Sequence, residues 1–410
     1  MRKNTINIKN IIKATGYYCL LLALLLPAGS FAQRLSLPQS IELAYKNNQL
    51  LLMNELETEA QQVLIKTARD LPKTTLDVQY GRTQAPRTND YIVNLVQQFA
   101  HPKLYQANKT LQESYVEASR RNNQLTKNEL AAAVKQLYYQ MLYYQQLRTS
   151  LIQQDSLYRS SLKAAETKYK TGESNLLEKV NVEVRAREIA NKLEILKRDE
   201  AITQQQLQTL LHLDQPFQVD LLLPLKRDTT QILRPAALSG NPLLSIAEQQ
   251  LTINKQLTNL ERQKLKPDFR VGLTNQSIEH INNQIALMGG IGIPIFTKAQ
   301  KARIEAAKVN EKIKETHIQY VETQLTGQLN ILKKDYEKHQ QSLAYYENFA
   351  LPQADLIIRN ATKSYKSGEI DYMEFIQNSQ QAWQIKDAYL LTTLNFNQTV
   401  IQIETILGIQ

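Results

Sequence analysis

A single cysteine, Cys19, is all the thiol this chain carries, and it lies in an N-terminal segment, 1–32, of distinct character. There Arg2, Lys3, Lys9 and Lys13 precede the short apolar core CLLLALLL, and Ser30, Phe31 and Ala32 make a small-x-small site. This is the pattern of a secretory signal peptide, and the apolar run before Pro27 is too short to span a bilayer as a helix. The mature chain is expected to be exported and cysteine-free, which excludes disulfides, thiolate zinc sites and cysteine nucleophiles. Cys19 lies at the very start of the apolar core, away from a lipid-attachment position.

Metal and catalytic constellations are missing as well. Histidines 101, 212, 280, 317 and 339 form no His-x3-His pair on a helix face. The mature methionines, 53, 141, 288 and 373, are scattered rather than clustered. The glycine-rich GGIGIP lacks the Lys-Ser/Thr of a phosphate loop. No nucleophile, base and orienter assemble, so the reading is of a non-enzyme with no cofactor and no metal site. The formal charge of +10 falls to about +6 without the signal, whose four positive charges have no acidic counterpart. The remaining charges alternate in sign along helical runs, the pattern of solvated helix faces, and no nucleic-acid module is present.

Glycine and proline are absent from Lys103 to Thr171. As one helix this stretch is on the order of 100 Å long. Leu130, Val134, Leu137, Met141 and Tyr144 step by four and three, which predicts a coiled-coil seam, and YYQMLYYQ (138–145) reads as packing on it. The run 298–367 is similarly long, with Gly327 and Pro352 as its only breakers. Pro352 lacks the N–H donor and crowds the preceding turn, so it is expected to kink the helix.

Between the helical runs the period changes to two. Leu76, Val78 and Tyr80 alternate with Thr75, Asp77 and Gln79; Tyr91, Val93 and Leu95 alternate with Ile92, Asn94 and Val96. In the second half Phe269, Val271 and Leu273 alternate with Arg270, Gly272 and Thr274, and Ile285, Leu287, Ile291 and Ile293 with Ala286, Met288, Gly290 and Gly292. Segments of about ten residues with one apolar face fit transmembrane β-strands; two hairpins on a soluble helical core would show the same period. Tyr80, Tyr91, Phe99, Phe269 and Phe296 suit interfacial girdles.

The halves repeat each other. KYKTGESNLLEKV (168–180) is echoed by SYKSGEIDYMEFI (364–376), and DLPKTTLDVQYG by KLKPDFRVGLTN, at offsets of about 193 to 196. This internal duplication divides the mature chain into a first repeat, 33–212, a Pro-rich connector, 213–235, and a second repeat, 236–410. Gly172 and Gly368 suit the left-handed residue that closes a helix, and Asn175 and Asp371 suit the caps that begin the returning ones. Four strands cannot close a barrel, and open edges are not tolerated in lipid, so several copies must combine their strands.

With these elements in order, the sequence resembles the TolC-like outer membrane factor family over essentially all of the mature chain. LSLPQSIELAYKNNQLL (35–51), GIGIPIF with KAQKARIEAA, and LPQADLIIRNATKSYKSGEIDYMEFIQNSQQ (351–381) carry the likeness. The resemblance implies a mainly α fold with membrane β: a homotrimer whose twelve-stranded transmembrane β-barrel, four strands per chain, continues into a long α-helical barrel in the periplasm. It implies a passive exit duct in the cell outer membrane, in contact with its lipid. The duct would receive substrate from an inner-membrane pump of the resistance-nodulation-division type through a periplasmic adaptor protein. Tyr169, Gly172, Glu173, Tyr365, Gly368 and Glu369 would face the adaptor. Glu374 stands where some relatives place an acidic constriction, while the next such position is Gln377, a departure from a two-ring gate. YKTGESNLLEKV looks most like the branch serving copper/silver and cobalt-zinc-cadmium exporters. Multidrug efflux, type I protein secretion and a non-conducting coiled-coil scaffold stay open.

Overall fold

A computed structural model describes residues 34–82, 87–213, 217–220, 226–229 and 238–409. Residues 1–32, expected to be a signal peptide, and most of the expected connector, 213–235, lie outside the described residues.

The chain opens with β1 (Arg34–Leu35), α1 (Leu37–Asn47) and α2 (Gln49–Leu64), the last running into a 3-10 turn, Ile65–Arg69. Ser36 and Gln39 form a reciprocal capping box at the start of α1, satisfying N–H groups that the first turn leaves without partners. A hairpin follows, β2 (Thr75–Gly81) and β3 (Asp90–Phe99), then α3 (Pro102–Thr171) and α4 (Leu176–Leu211). After β4 (Gln218–Val219), which pairs in parallel with β1, the plan recurs. Its elements are α5 (Pro242–Gln263), β5 (Asp268–Ile278), β6 (Ile281–Gly292), α6 (Lys298–Tyr345), a π-helical turn at Tyr346–Ala350, α7 (Leu351–Ser367) and α8 (Tyr372–Leu407). The boundaries of the long helices recur 196 residues later in every case: 102 and 298, 171 and 367, 176 and 372, 211 and 407.

Helix α3 spans 70 residues without a break, about 105 Å at the α-helical rise. Its buried stripe differs in detail from the expected seam. Leu130, Val134, Tyr138, Tyr139 and Leu142 are buried, whereas Leu137, Met141 and Tyr144 are half-buried. The stripe steps by four because α3 packs against neighbours on more than one side, among them α4, α5 and α8, and not along one two-helix seam.

In the second repeat α6 passes through Gly327 unbroken, and the interruption falls at the π-turn ahead of Pro352. There the N–H of Leu351 reaches back five residues to the carbonyl of Tyr346. One extra residue in the turn accommodates the ring that would otherwise crowd the preceding carbonyl.

The four long strands form one antiparallel sheet in the order β2-β3-β5-β6, so the two halves meet at β3 and β5. The segment QSIEHINNQ (276–284), between the two alternating runs, belongs largely to the sheet. Glu279 (φ 47°) and His280 (φ 71°) turn the chain as the two central residues of a type I′ hairpin do, and pairing resumes at Ile278 and Ile281.

Candidate functional site

Two regions carry candidate function: the faces of the sheet and the paired helical tips. Register puts the expected apolar residues of all four strands on a common face. Leu76 pairs with Leu95, Leu95 with Leu273, and Leu273 with Leu287, a row of leucine across the whole sheet. Phe99, Phe269 and Ile291 make a second row. The opposite face carries Asp77, Asn94, Thr274 and Ala286 in one row, with the Thr274 hydroxyl donating to the Asn94 side chain at 2.8 Å. Nothing among the described residues covers the apolar face: Leu287 is 87% exposed and Phe296, just beyond β6, 97%. The outer edges of β2 and β6 pair with no other described strand. Among the described residues, no helix is long and apolar enough to cross a membrane.

At the tips, Gly172 (φ 77°) and Gly368 (φ 78°) adopt the left-handed conformation. Glu173 N–H donates to the Lys168 carbonyl at 2.8 Å, and Glu369 N–H to that of Ser364 at 2.9 Å, closing both helices in the same way. Asn175 accepts from Glu178 N–H and Asp371 from Glu374 N–H, each at 2.8 Å. Gly172, Glu173, Gly368 and Glu369 are exposed; the Glu369 carboxylate accepts from the Ser364 hydroxyl at 2.9 Å.

The two tip tyrosines differ. Tyr169 is 41% exposed and carries the Lys179 ammonium 5.6 Å from its ring centre. Tyr365 is half-buried, stacked on Phe375 with centroids 4.8 Å apart and planes at 16°. Phe375 is the 196-residue counterpart of Lys179, so a cation covers one ring and an aromatic the other. Lys168 of the first tip also lies 5.5 Å from the Tyr365 ring, linking the two hairpins. Beside them burial pushes the Tyr372 phenol above its ordinary pKa, the Ser161 hydroxyl acting in the opposite direction. Glu374 and Gln377 are both exposed, one helical turn apart, on a groove of about 570 Å³ between the starts of α4 and α8 that also holds Arg185 and Met373.

The described residues contain no group of three His, Cys, Asp or Glu able to hold a metal ion. What sequence reading missed is a buried charge cluster. Glu404 on α8 accepts from Lys135 of α3 at 2.9 Å and from Arg227 of the connector at 2.6 Å; the Arg227 guanidinium lies 5.0 Å from the Tyr139 ring centre. The counterparts of Lys135 and Glu404 are Ile331 and Gln208, so the duplication gives no hint of the pair.

Among solved structures, the outer-membrane channel OprN superposes with a TM-score of 0.73 at 15% identity, covering 91% of this chain and 90% of that one. CusC, described for its folding and transmembrane channel formation, superposes with a TM-score of 0.73 at 17% identity, over 92% and 93%. The chain has the fold of the TolC-like outer-membrane channels. The long helices and the four-stranded sheet are therefore the two parts of a known architecture. The cobalt-zinc-cadmium resistance protein CzcC of Cupriavidus metallidurans is 23% identical over 172 residues, which is 42% of this chain and 41% of that protein. The chain thus matches less than half the length of this curated relative. No family model matches the sequence.

Proposed function

We propose that three copies of this chain form an outer-membrane exit duct of a tripartite efflux system, without enzymatic activity. The observation that carries this reading is the sheet: an apolar face and two outer edges that no described residue covers or pairs, a reverse face carrying Asp77, Asn94 and Thr274, and continuity with helices about 100 Å long. Lipid does not tolerate open edges, and known single-chain barrels begin at eight strands. Three copies supply twelve strands, the number that the family resemblance implies. Apolar side chains then meet lipid, and polar ones line the lumen.

The tips are the docking end. Tyr169, Gly172, Glu173, Gly368 and Glu369 offer exposed groups to a periplasmic adaptor, while Tyr365 shapes the tip from within. Glu374, with Gln377 one turn on, forms a single acidic ring at the constriction. An inner-membrane pump of the resistance-nodulation-division type feeds the duct through the adaptor. The likeness to CzcC supports heavy-metal cations as the cargo.

Planar-bilayer recording of the purified protein tests conduction: discrete ion channels support the duct, and a silent bilayer supports a scaffold. Growth of a deletion strain tests the cargo. Sensitivity confined to copper, silver, zinc, cobalt or cadmium, restored by the intact gene, supports metal efflux. Sensitivity to dyes, bile salts or antibiotics with unchanged metal tolerance overturns it in favour of multidrug efflux.

A further inference from the structure

The sheet register brings four chain junctions to one end of the strands. These are α2 to β2, β3 to α3, α5 to β5, and β6 to α6; Phe99 pairs with Phe269 and Asp268 with Gly292. The tilted approach of His101 and Phe269, 6.2 Å between ring centres, ties two of them, and the Gln97 side chain donates to the Pro72 carbonyl at 2.8 Å. Residues 65–74, 100–104, 262–268 and 297–303 together hold ten Lys and Arg against two acids, Asp70 and Asp268. At the other end, Arg82 and Arg87 are balanced by Asp90 and Glu279. Charge is concentrated where the sheet meets the helices and balanced where it ends.

Arg69, Lys73, Lys103, Lys298 and Lys301 are exposed and Lys266 half-buried. Of the ten basic groups, Lys264 alone has a salt bridge among the described residues, to Glu261. Partial desolvation, together with the nearby Lys103 ammonium, lowers the Lys266 pKa, so like charges crowd here. Immediately beside them stand exposed apolar groups, Phe296, Ile295 (78%), Ile293 (69%) and Leu71 (49%). An apolar band bordered by a collar of cations matches the boundary between acyl chains and phosphate headgroups.

We infer that this collar binds the anionic phospholipid headgroups of the leaflet facing the helical part, fixing how deep the sheet sits in the membrane. The inference rests on the membrane reading proposed above. Mixed sign at the far turns gives no such anchor, so the collar also sets which way the sheet enters.

The test uses the full chain purified in neutral detergent and incubated with phosphatidylglycerol, phosphatidylcholine or inorganic phosphate. Bound lipid is measured after gel filtration, and conductance in phosphatidylcholine bilayers is recorded in parallel. Phosphatidylglycerol is expected to be retained preferentially, less so at high salt, and not displaced by inorganic phosphate. The triple change Lys103→Gln, Lys298→Gln and Lys301→Gln should weaken that retention by about a hundredfold. Lys312→Gln, Lys333→Gln and Lys334→Gln, an equal charge loss on the exposed side of α6, should leave it intact. Equal retention of both lipids by a conducting protein overturns the collar and leaves the duct standing. Displacement by inorganic phosphate overturns it in favour of a simple anion site. Absence of conductance and of any lipid retention overturns the membrane reading, and the collar with it. If the triple variant fails to fold, the salt dependence of the parent's retention decides: none overturns the inference.

Discussion

The ammonium of Lys135 lies 2.9 Å from the carboxylate of Glu404, and both side chains are buried, at 8% and 7% exposure. The pair joins the first repeat to the last helix, and Arg227 on the same carboxylate brings in the connector. Removing one member of a buried charge network strands the others without water or counter-charge. Glu404→Gln, which leaves two cations uncompensated, is therefore expected to cost about 3–5 kcal/mol. Urea denaturation checks this. Lys135→Met, which leaves Glu404 its bond to Arg227, should cost less.

The faces of the sheet can be told apart by neighbouring residues of one strand. Leu287→Arg introduces a charge on the apolar face and, if that face meets lipid, costs about 2–4 kcal/mol per chain at mid-depth. Membrane assembly, read as the fraction of protein in the membrane pellet, should fall sharply. Ala286→Arg, one residue away on the polar face, should assemble normally and lower single-channel conductance. Equal loss of assembly in both variants would contradict the two-sided reading.

The tip turns rest on backbone conformation. Gly368→Ala meets no neighbouring atom within 4 Å, so the φ of 78° is the obstacle, with a cost of about 1–2 kcal/mol. Asp371→Ala removes the cap of α8 and costs about 1 kcal/mol. Both should raise hydrogen-exchange rates at 364–376 and leave the sheet unchanged.

At the proposed constriction, Glu374→Gln should reduce cation-over-anion selectivity, and Gln377→Glu should increase it. Reversal potentials across a salt gradient measure both, and unchanged values in Glu374→Gln would remove the acidic ring from the mechanism.

Tyr365 should act by packing. Tyr365→Phe keeps the ring against Phe375 and is expected to leave adaptor binding near the parent's level, whereas Tyr365→Ala should weaken it and lower the melting temperature together. Tyr169→Ala should weaken binding with little change in melting temperature.

Much of the architecture was legible because it is written in short periods. Alternation at 75–80 and 269–274 marks strands, the gap in Gly and Pro from 103 to 171 marks a long helix, and the paired YK(T/S)GE segments mark the two reversals. These signals are local: each depends on side chains a few residues apart, or on one residue able to take a left-handed conformation. The turn at Glu279 and His280 escaped because Glu is an unusual residue for positive φ, and the stripe of α3 holds at Leu130 and Val134 but shifts by one position to Tyr138 and Leu142 because several helices share it.

The amino-acid order by itself determined which segments are helix and strand, which faces are apolar, and that the plan is used twice, since propensity and periodicity act over a handful of residues. Only the tertiary structure decided that β3 pairs with β5, that one row of leucines crosses four strands, and that Glu404 closes on Lys135 and Arg227. Those relationships join residues up to 269 positions apart, where the outcome depends on which surfaces meet and on buried charge finding its partner.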